Sequence, residues 1–266
     1  MPELAEVEYY RQKWNPGLGA SIRAVRLRET RIFRGAEPNA LKKALPKSRL
    51  LSSEAHGKQI LFRFSNEICL GLHLGMTGEL RAERPDFEPG KHDHLVLYQQ
   101  QRALIFSDPR QFGRVRFHLG PDLPDWWRNL PAPLLSREFT RALMGRFLGR
   151  HRKLPIKAAL LLQSGFPGLG NWMVDEVLWR SGLDPRRPAG QLTSAGRKVL
   201  WRTIRFVCRE AIRSVSRGYS ALPAGWLFHE RWGRNGRCPR HRQALVRDTI
   251  GGRTTAWCRI CQPARR

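Results

Sequence analysis

The feature that most restricts how this chain can fold is a pair of short cysteine- and histidine-containing motifs near its C-terminus. Cys238-Pro-Arg-His241 is followed by Cys258-Arg-Ile-Cys261, with two residues between the ligating side chains of each motif. Two such motifs can close a tetrahedral Cys3His site around one Zn2+ ion. Four protein ligands exclude water, so the predicted zinc is structural. The alternative is a pair of unrelated thiol turns, and His241, on an Arg-rich loop, is the weakest of the four ligands.

The segment between these motifs is predicted to form a β-hairpin. Gly251-Gly252 separates two strand-like flanks, and such a dipeptide favours a tight hairpin turn. Arg253 follows the turn directly. A metal-stabilised hairpin would present this arginine for contact with a phosphate, although a merely solvated arginine is equally compatible with the local sequence.

The chain carries a large excess of positive charge. Its 266 residues include 48 Lys and Arg against 22 Asp and Glu, which gives a net charge of +26. Solubility does not require such an excess, so we expect a polyanion as the partner. At 41% hydrophobic residues the chain can build sizeable cores. It has no apolar run of membrane length and no secretory signal, which predicts a cytoplasmic protein.

Hydrophobic periodicity divides the chain into a β-rich part and a helical part. Alternating apolar residues predict a strand at residues 21–29. Short β-branched or aromatic runs broken by Gly, Asn or Asp predict strands at residues 50–55, 59–64, 67–74, 93–98, 103–107 and 114–118. Helical spacing follows at residues 137–149, 156–163, 172–181 and 194–217. These patterns predict an α+β protein that begins with a β-sandwich or flattened barrel.

The Pro- and Trp-containing segment 120–133 fits a connector better than a regular element. We therefore expect a β-rich domain over residues 1–131, a helical domain over 132–226 and a zinc-binding hairpin over 227–266. Cys69 and Cys208 lie within apolar segments and are expected to be small buried side chains.

The N-terminus would have an unusual reactivity if Met1 is removed. Pro2 would then carry a free secondary amine, which can attack an aldehyde carbon and must give a cationic iminium. Glu3 stands beside it and could move protons. Leu4, Val7 and Trp14 fall on one helical face whose packing would fix this end of the chain. A frayed tail is the simpler interpretation of these residues alone.

A glycine-rich turn precedes the third predicted helix of the second part. Pro167-Gly168-Leu169-Gly170-Asn171 would allow a close approach of the backbone, with Asn171 as the N-cap and Asp175 and Glu176 in the first turn. The N–H groups of such a turn and the Asn171 amide could hold a phosphate. An ordinary capped helix is the alternative.

Three further turns could present side chains to a nucleic acid. Lys58 follows Gly57 at the entry to a strand, where it could reach a phosphate. Met76 lies between Gly75 and Gly78, and Arg110 and Phe112 lie between Asp108 and Gly113. Proteins that unstack a duplex need such wedges to fill the gap left by an extruded nucleotide. Taken separately, Lys58 fits a solvated turn, and Met76 and Phe112 fit a core.

Taken together, these motifs resemble the formamidopyrimidine-DNA glycosylase/endonuclease VIII family. The motifs that carry the resemblance occur in order along nearly the whole chain: Pro2-Glu3-Leu4, Glu6-Val7-Glu8, Met76-Thr77-Gly78, Asp108-Pro109-Arg110, Phe112-Gly113, Gly168-Leu169-Gly170-Asn171, Asp175-Glu176 and Gly251-Gly252-Arg253 ahead of Cys258 and Cys261. The resemblance implies a base-excision repair enzyme with a β-sandwich, a helix-two-turn-helix module and a zinc-finger hairpin. It also implies damaged double-stranded DNA as the partner of a monomeric enzyme.

The resemblance assigns roles to particular residues. Pro2 would be the nucleophile at the sugar C1′, with Glu3 assisting ring opening and proton transfers, and Lys58 and Arg253 completing the catalytic set. The DNA-binding set would comprise Met76, Arg110 and Phe112 in the gap, Asn171 on a phosphate, and also Lys157 and Glu6. The metal ligands would be Cys238, His241, Cys258 and Cys261.

Three departures from the family pattern affect what the resemblance implies. Ala5 replaces a proline beside the site, and His241 stands where a cysteine is usual, which zinc tolerates. The segment 217–227 is shorter than the one from which 8-oxoguanine-specialised members build a loop over the flipped base. The expected function is a DNA glycosylase/AP lyase for formamidopyrimidines and 8-oxoguanine. Oxidised pyrimidines as substrates, and a non-catalytic zinc-dependent nucleic-acid-binding protein, remain the alternatives.

Overall fold

The chain folds into two units of different architecture. This computed structural model describes residues 2–28, 30–34, 36–215 and 222–264. The first unit comprises Met1–Pro2 and Glu6–Leu130, and the second comprises Glu3–Ala5 and Pro131–Arg266. No helix among the described residues is both long and apolar enough to cross a membrane.

The first unit is a sandwich of two antiparallel sheets. Its strands are β1 Ala24–Leu27, β2 Leu50–His56, β3 Gln59–Phe64, β4 Ile68–His73, β5 Glu79–Glu83, β6 Asp93–Tyr98, β7 Ala103–Ser107 and β8 Arg114–Leu119. One sheet has the order β1-β6-β7-β5 and the other β2-β3-β4-β8. The expected β-sandwich is confirmed. Strand β5, absent from the sequence prediction, has a mostly polar sequence and pairs with the buried β7.

The core of the first unit lies between the two sheets. Phe62 and Leu70 from one sheet share a buried cluster with Leu104 and Phe106 from the other. Trp14 fills the centre, because its ring lies 4.5 Å from that of Phe62 and its Nε1 donates to the Ile105 carbonyl at 3.2 Å. The predicted first helix, α1 Leu4–Gln12, ends before Trp14. Its Val7 joins this core, but Leu4 belongs to the second unit.

The outer face of the second sheet is also covered, which explains why β3 has no apolar–polar alternation. The segment 120–133, predicted to be a connector, contains a short helix, α3 Asp125–Arg128, which the sequence prediction missed. Trp127 packs against Leu61 and Cys69. Trp126 crosses Gly71, where an added Cβ would lie 2.4 Å from the Trp126 ring. The strands of this sheet carry buried residues on both faces, and Trp126 and Trp127 shield the outer face from solvent.

The helices of the second unit are α4 Arg141–Arg150, α5 Ile156–Leu160, α6 Asn171–Ser181 and α7 Ser194–Val215. The remaining helix of the first unit is α2 Pro38–Ala44. Helix α4 begins later than predicted because the Thr140 hydroxyl caps it, accepting from the Leu143 N–H. The sequence left the cap of α7 between Thr193 and Ser194, and the structure selects Thr193, whose hydroxyl accepts from the Gly196 N–H. Cys208 is fully buried in α7, and burial raises the pKa of its thiol to about 12.

The C-terminal hairpin consists of β9 Val246–Ile250 and β10 Arg253–Trp257, which are antiparallel. Ile250 pairs with Arg253 across a two-residue turn. Gly251 and Gly252 have φ values of 60° and 71°, the left-handed conformation that a tight hairpin turn of this kind requires. The predicted hairpin is confirmed, and it carries Arg253 at the exposed first position of β10.

Trp14 should be the residue whose loss most weakens the first unit. Trp14→Ala removes the ring that contacts Phe62 and should lower the free energy of unfolding by about 3–5 kcal/mol. Leu119→Ala, at a side chain that is 60% exposed, should change it by less than about 0.5 kcal/mol. Urea unfolding followed by circular dichroism would measure both, and equal effects of the two substitutions would contradict this account of the core.

Candidate active site and nucleic-acid interface

Glu3 is anchored at the N-terminal end of α6. Its Oε1 accepts from the Trp172 N–H at 3.0 Å, and its Oε2 accepts from the N–H groups of Gly170 and Met173 at 3.1 Å each. The Leu4 N–H donates to the Gly168 carbonyl at 3.0 Å. Three N–H donors and the positive end of the helix dipole stabilise the carboxylate form of Glu3.

Glycine at position 170 makes this anchoring possible. A Cβ there would lie 2.2 Å from the Glu3 carboxyl carbon. Gly170, rather than Asn171, is the N-cap of α6, so the predicted cap was wrong. The Asn171 side chain instead contacts the hairpin: its Nδ2 donates to the Thr254 carbonyl of β10 at 2.8 Å. The cap function that Asn171 could have supplied is taken by Glu3, which carries a full charge.

Lys157 and Asp175 form a buried ion pair behind this helix terminus. Lys157 Nζ donates to Asp175 Oδ1 at 2.5 Å and to the Asn171 carbonyl at 2.8 Å. Arg231 donates twice to Asp175 Oδ2, at 2.7 and 3.0 Å. Burial lowers the pKa of Lys157, while Asp175 opposes that shift. Lys157 was expected to bind DNA, but its ammonium is fully buried and already bonded, so its role is internal.

The two acidic residues of α6 lie beyond its first turn, contrary to expectation. Glu176 is fully buried, accepts from Arg180 Nε at 2.7 Å and accepts from the Phe228 N–H at 3.2 Å. Burial raises the pKa of Glu176, and Arg180 and the backbone donors oppose the rise. Asp175 and Glu176 therefore connect α6 to the segment that follows α7.

The four predicted metal ligands converge. The ligating atoms of Cys238, His241, Cys258 and Cys261 all lie within 4.8 Å of one another. Cys238 Sγ is 3.7 Å from Cys261 Sγ, and His241 Nδ1 is 3.2–3.9 Å from the three sulfur atoms. Tetrahedral coordination with Zn–S bonds of about 2.3 Å requires S–S separations of about 3.8 Å. The donor set and its spacing therefore fit a closed tetrahedral metal site.

Buried contacts connect the metal-ligand cluster to the rest of the second unit. Cys238 and Cys258 belong to a small core that includes Trp179 of α6 and Ala256 of β10. The Ala256 N–H donates to Asp175 Oδ2 at 3.3 Å. The hairpin that presents Arg253 is thus held by the ligand cluster at one end and by α6 along its length.

In the first unit, the charge of Lys58 acts on a half-buried histidine, His73. Lys58 follows Gly57, whose φ is 61°, and its side chain is buried. Burial, together with the charges of Lys58, Arg114 and Arg116, lowers the pKa of His73 to about 4. The Gly75 N–H donates to His73 Nδ1 at 3.0 Å, which requires that nitrogen to be unprotonated. His73 was missed in the sequence, where its position just before Gly75-Met76 was the available signal.

The turns that carry the predicted wedges lie in the same unit. Met76 is 41% exposed and Phe112 is 42% exposed, so neither belongs to the core. The Arg110 guanidinium lies 4.8 Å from the centre of the Phe112 ring. Pro2 is half-buried, and Glu6 is buried within α1.

Comparison with known proteins gives a consistent assignment. Residues 1–115 match the model of the formamidopyrimidine-DNA glycosylase N-terminal domain, and residues 131–221 match the model of its H2TH domain. The chain is 36% identical to formamidopyrimidine-DNA glycosylase of Laribacter hongkongensis over 274 residues, which cover 98% of this chain and 100% of that protein.

Two solved structures of the Lactococcus lactis protein are similar over 99% of this chain and 100% of theirs. One is a complex of a variant with Fapy-dG-containing DNA, and it is 28% identical with a TM-score of 0.87. The other is a complex of the wild-type protein with DNA that contains an oxidised pyrimidine, again 28% identical with a TM-score of 0.87.

The low pKa of His73 predicts an acid-dependent loss of stability. Between about pH 6.5 and 4 the unfolded chain binds a proton at this position that the folded chain does not, so the free energy of unfolding should fall as the pH is lowered through that range. The contribution should reach about 3 kcal/mol at most. Urea unfolding at several pH values would measure it.

The matched variant is His73→Asn, whose side-chain oxygen can still accept from the Gly75 N–H. Its stability should decline less steeply below pH 6.5 than that of the wild type. Parallel curves for the two proteins would show that His73 does not titrate as described.

Proposed function

The chain belongs to the formamidopyrimidine-DNA glycosylase family, and we propose that it is a bifunctional DNA glycosylase and AP lyase. It removes oxidised bases from double-stranded DNA and cuts the strand at the resulting site. One observation carries the proposal: the residue after Pro2 is fixed by three backbone N–H groups at the start of α6. A protein that only binds DNA has no need to fix the residue that follows Pro2 in this way.

Pro2 is the nucleophile in the proposed reaction. Once Met1 has been removed, the Pro2 nitrogen forms a bond to the sugar C1′ while the bond between C1′ and the damaged base breaks, and the base leaves with a proton. Opening of the C1′–O4′ bond gives an iminium, which acidifies the C2′ proton. Loss of that proton breaks the C3′–O bond. A second elimination breaks the C5′–O bond and leaves phosphates at both ends of the gap, and hydrolysis of the iminium by water then releases the sugar fragment and restores the Pro2 amine.

Glu3 supports this chemistry as an anion. The Gly170, Trp172 and Met173 N–H groups donate to its carboxylate, and such donors favour the charged form. A carboxylate on the residue next to the amine can accept the proton that the amine loses on attack and can stabilise the iminium cation that follows. We assign ring opening and proton transfer to Glu3 on this basis.

The remaining assigned residues hold the DNA. Arg253, exposed at the tip of the hairpin, and Asn171, at the start of α6, are proposed to contact phosphates, and Lys58 the lesion strand. Met76, Arg110 and Phe112 are proposed to fill the gap left by the extruded nucleotide. Their exposure supports the assignment, since none is needed in the core. The side chain of Glu6 is buried. Glu6 is therefore proposed to contribute to DNA binding only indirectly, through its position in α1.

The proposed substrates are formamidopyrimidines and 8-oxoguanine. Met76, Arg110 and Phe112 resemble the purine-lesion branch of the family, which supports this choice. Oxidised pyrimidines are the second candidate, because one similar solved structure is a complex with DNA containing an oxidised pyrimidine. Residues 217–221 of the short segment 217–227, on which the sequence comparison of loops depends, lie outside the described residues.

Covalent trapping tests the proposed function. With a duplex containing a formamidopyrimidine or 8-oxoguanine, borohydride should reduce the iminium and leave a stable protein–DNA adduct whose mass maps to Pro2. Acetylating the N-terminus, or retaining Met1, removes the free secondary amine and should abolish trapping. A duplex with an oxidised pyrimidine, run in parallel, ranks the two substrate classes.

Glu3→Gln is the less clean variant, because a glutamine amide would place an N–H donor against the N–H groups of α6. Its folding therefore has to be checked by circular dichroism. Trapping that persists with a blocked N-terminus, or an adduct that maps to Lys58, would overturn the assignment of Pro2. Tight lesion binding with no base release would favour a non-catalytic protein.

We propose that the metal is zinc and that its role is structural. Three thiolates and one imidazole are the donors that Zn2+ prefers in closed tetrahedral sites. The ion would hold the hairpin in place, because ligands from both ends of the hairpin segment meet at it. It would supply no open coordination position for a substrate.

Metal analysis of protein purified without chelator should give about one zinc per chain. Chelation, or Cys258→Ser, should speed hydrogen exchange in β9 and β10 and weaken lesion-DNA binding, while exchange in the first unit stays unchanged. Cys69→Ala is the matched control, since that cysteine lies in the first unit. Full DNA binding after metal loss would contradict the proposed structural role.

A further inference from the structure

The turn 75–78 and the loop 108–113 are fastened to each other through one buried carboxylate. Asp108 Oδ1 accepts from the Thr77 hydroxyl at 2.7 Å, and Oδ2 accepts from the Gly113 N–H at 2.7 Å. Asp108 is fully buried. At Gly75, an added Cβ would lie 2.4 Å from the Phe112 carbonyl carbon. The turn that carries Met76 and the loop that carries Phe112 are therefore closely packed.

The tip of the loop has a backbone conformation that its sequence does not favour. Gln111 has a φ of 55°, in the left-handed region that most residues with a Cβ avoid. The Gln111 N–H donates to the Asp108 carbonyl at 3.1 Å, which closes the turn from within. Something outside the loop has to keep this conformation in place if the tip is to stay ordered.

Arg31 makes that contact from a distant part of the sequence. Its Nη2 donates to the Arg110 carbonyl at 2.6 Å and its Nε donates to the Gln111 carbonyl at 3.0 Å. The guanidinium carbon lies 5.2 Å from the centre of the Phe112 ring. One planar group thus bridges two successive carbonyls and faces the aromatic side chain that follows them.

Arg31 is itself held by the core of the first unit. It begins a short 3-10 turn, Arg31–Phe33, in which Ile32 is fully buried and Phe33 nearly so. The anchored turn fixes the backbone from which the guanidinium reaches the loop. The arginine therefore acts as a brace between the core and the loop tip rather than as a freely moving surface cation.

We propose that Arg31 is a positioning residue for DNA intercalation, because it fixes the 108–113 loop with Phe112 and Arg110 pointing outward. The inference rests on the proposed function, in which those two side chains fill the gap in the duplex. Arg31 acts through the loop and touches no reacting atom. Its chemistry is specific to arginine, since a lysine ammonium is a point donor that cannot match two carbonyls and stack on a ring with one planar group.

Base unstacking provides the direct test. The probe is a duplex with a tetrahydrofuran abasic-site analogue and 2-aminopurine in the opposite strand, facing the analogue, whose fluorescence rises when the wedge disturbs its stacking. Arg31→Lys keeps the charge but loses the bridge, and should lower the saturating fluorescence change at least about twofold. The kcat for base removal should fall roughly tenfold, because small misplacements of a positioning group carry costs of this size.

Arg34→Lys and Arg34→Ala are the matched controls, because Arg34 is an exposed arginine three residues further along the same segment. They should leave the fluorescence change and kcat unaltered. Arg31→Ala and Arg34→Ala should reduce binding to undamaged duplex equally, since each removes one positive charge. A wild-type fluorescence change in Arg31→Lys, or the same loss in the Arg34 variants, would overturn the proposal.

Hydrogen exchange separates this inference from the proposed function. In Arg31→Lys the Gln111 and Gly113 amides should exchange about tenfold faster than in the wild type, because a buttressing hydrogen bond has been lost. This readout needs no DNA and no catalysis. If the wild type neither excises bases nor changes the probe fluorescence, the proposed function fails and the intercalation role fails with it. If the wild type does both and exchange in Arg31→Lys is unchanged, only the inference fails.

Discussion

The contact on which the second unit depends is the one between the Glu3 carboxylate and the first N–H groups of α6. The opening N–H groups of a helix have no partner within the helix and need an acceptor. Here the acceptor is the Glu3 carboxylate near the N-terminus of the chain, and Gly170 leaves the space for it. The same contact satisfies the helix and fixes the residue beside Pro2. Structure and proposed catalysis thus share one interaction, so a substitution at Glu3 disturbs both.

A network of buried charged groups then connects α6 to the hairpin. Asp175, on α6, accepts from Lys157, from Arg231 and from the Ala256 N–H of β10. A carboxylate removed from water needs such partners, and breaking one would leave an uncompensated charge inside the unit. The network therefore sets the position of β10 relative to α6. The metal-ligand cluster secures the far end of the same hairpin, and Arg253 is carried between these two supports.

The first unit uses a different device to present its side chains. Its sandwich is stabilised by apolar packing around Trp14, and the exposed turns are braced by polar contacts from Asp108 and Arg31. Exposed Met76 and Phe112 gain nothing from the core, so their orientation depends on the backbone beneath them. Rigid support of that backbone is what a wedge needs, because a mobile aromatic side chain would spend its binding free energy on becoming ordered.

Sequence alone determined the elements whose signal is local. Seven of the eight strands described in the first unit, the hairpin turn at Gly251-Gly252, an N-cap of α7 at Thr193 or Ser194 and the four-ligand cluster all follow from patterns of neighbouring residues. Local patterns also explain the errors. Strand β5 is polar and forms because β7 offers it a partner, and α3 is a helix because Trp126 and Trp127 cover an apolar sheet face.

Only the tertiary structure decided how distant residues are used. Gly170 rather than Asn171 is the N-cap of α6, because the Glu3 carboxylate, from the N-terminus of the chain, accepts from the N–H groups that begin the helix. Lys157 is internal because Asp175 neutralises it, and Met76 and Phe112 are exposed because Asp108 fastens their turns together. Arg31 carries no motif, so no pattern of neighbouring residues could have identified it, and the signal for His73 was limited to its position just before Gly75-Met76. Each owes its environment to groups far away in sequence, and such contacts are fixed by packing rather than by local propensity.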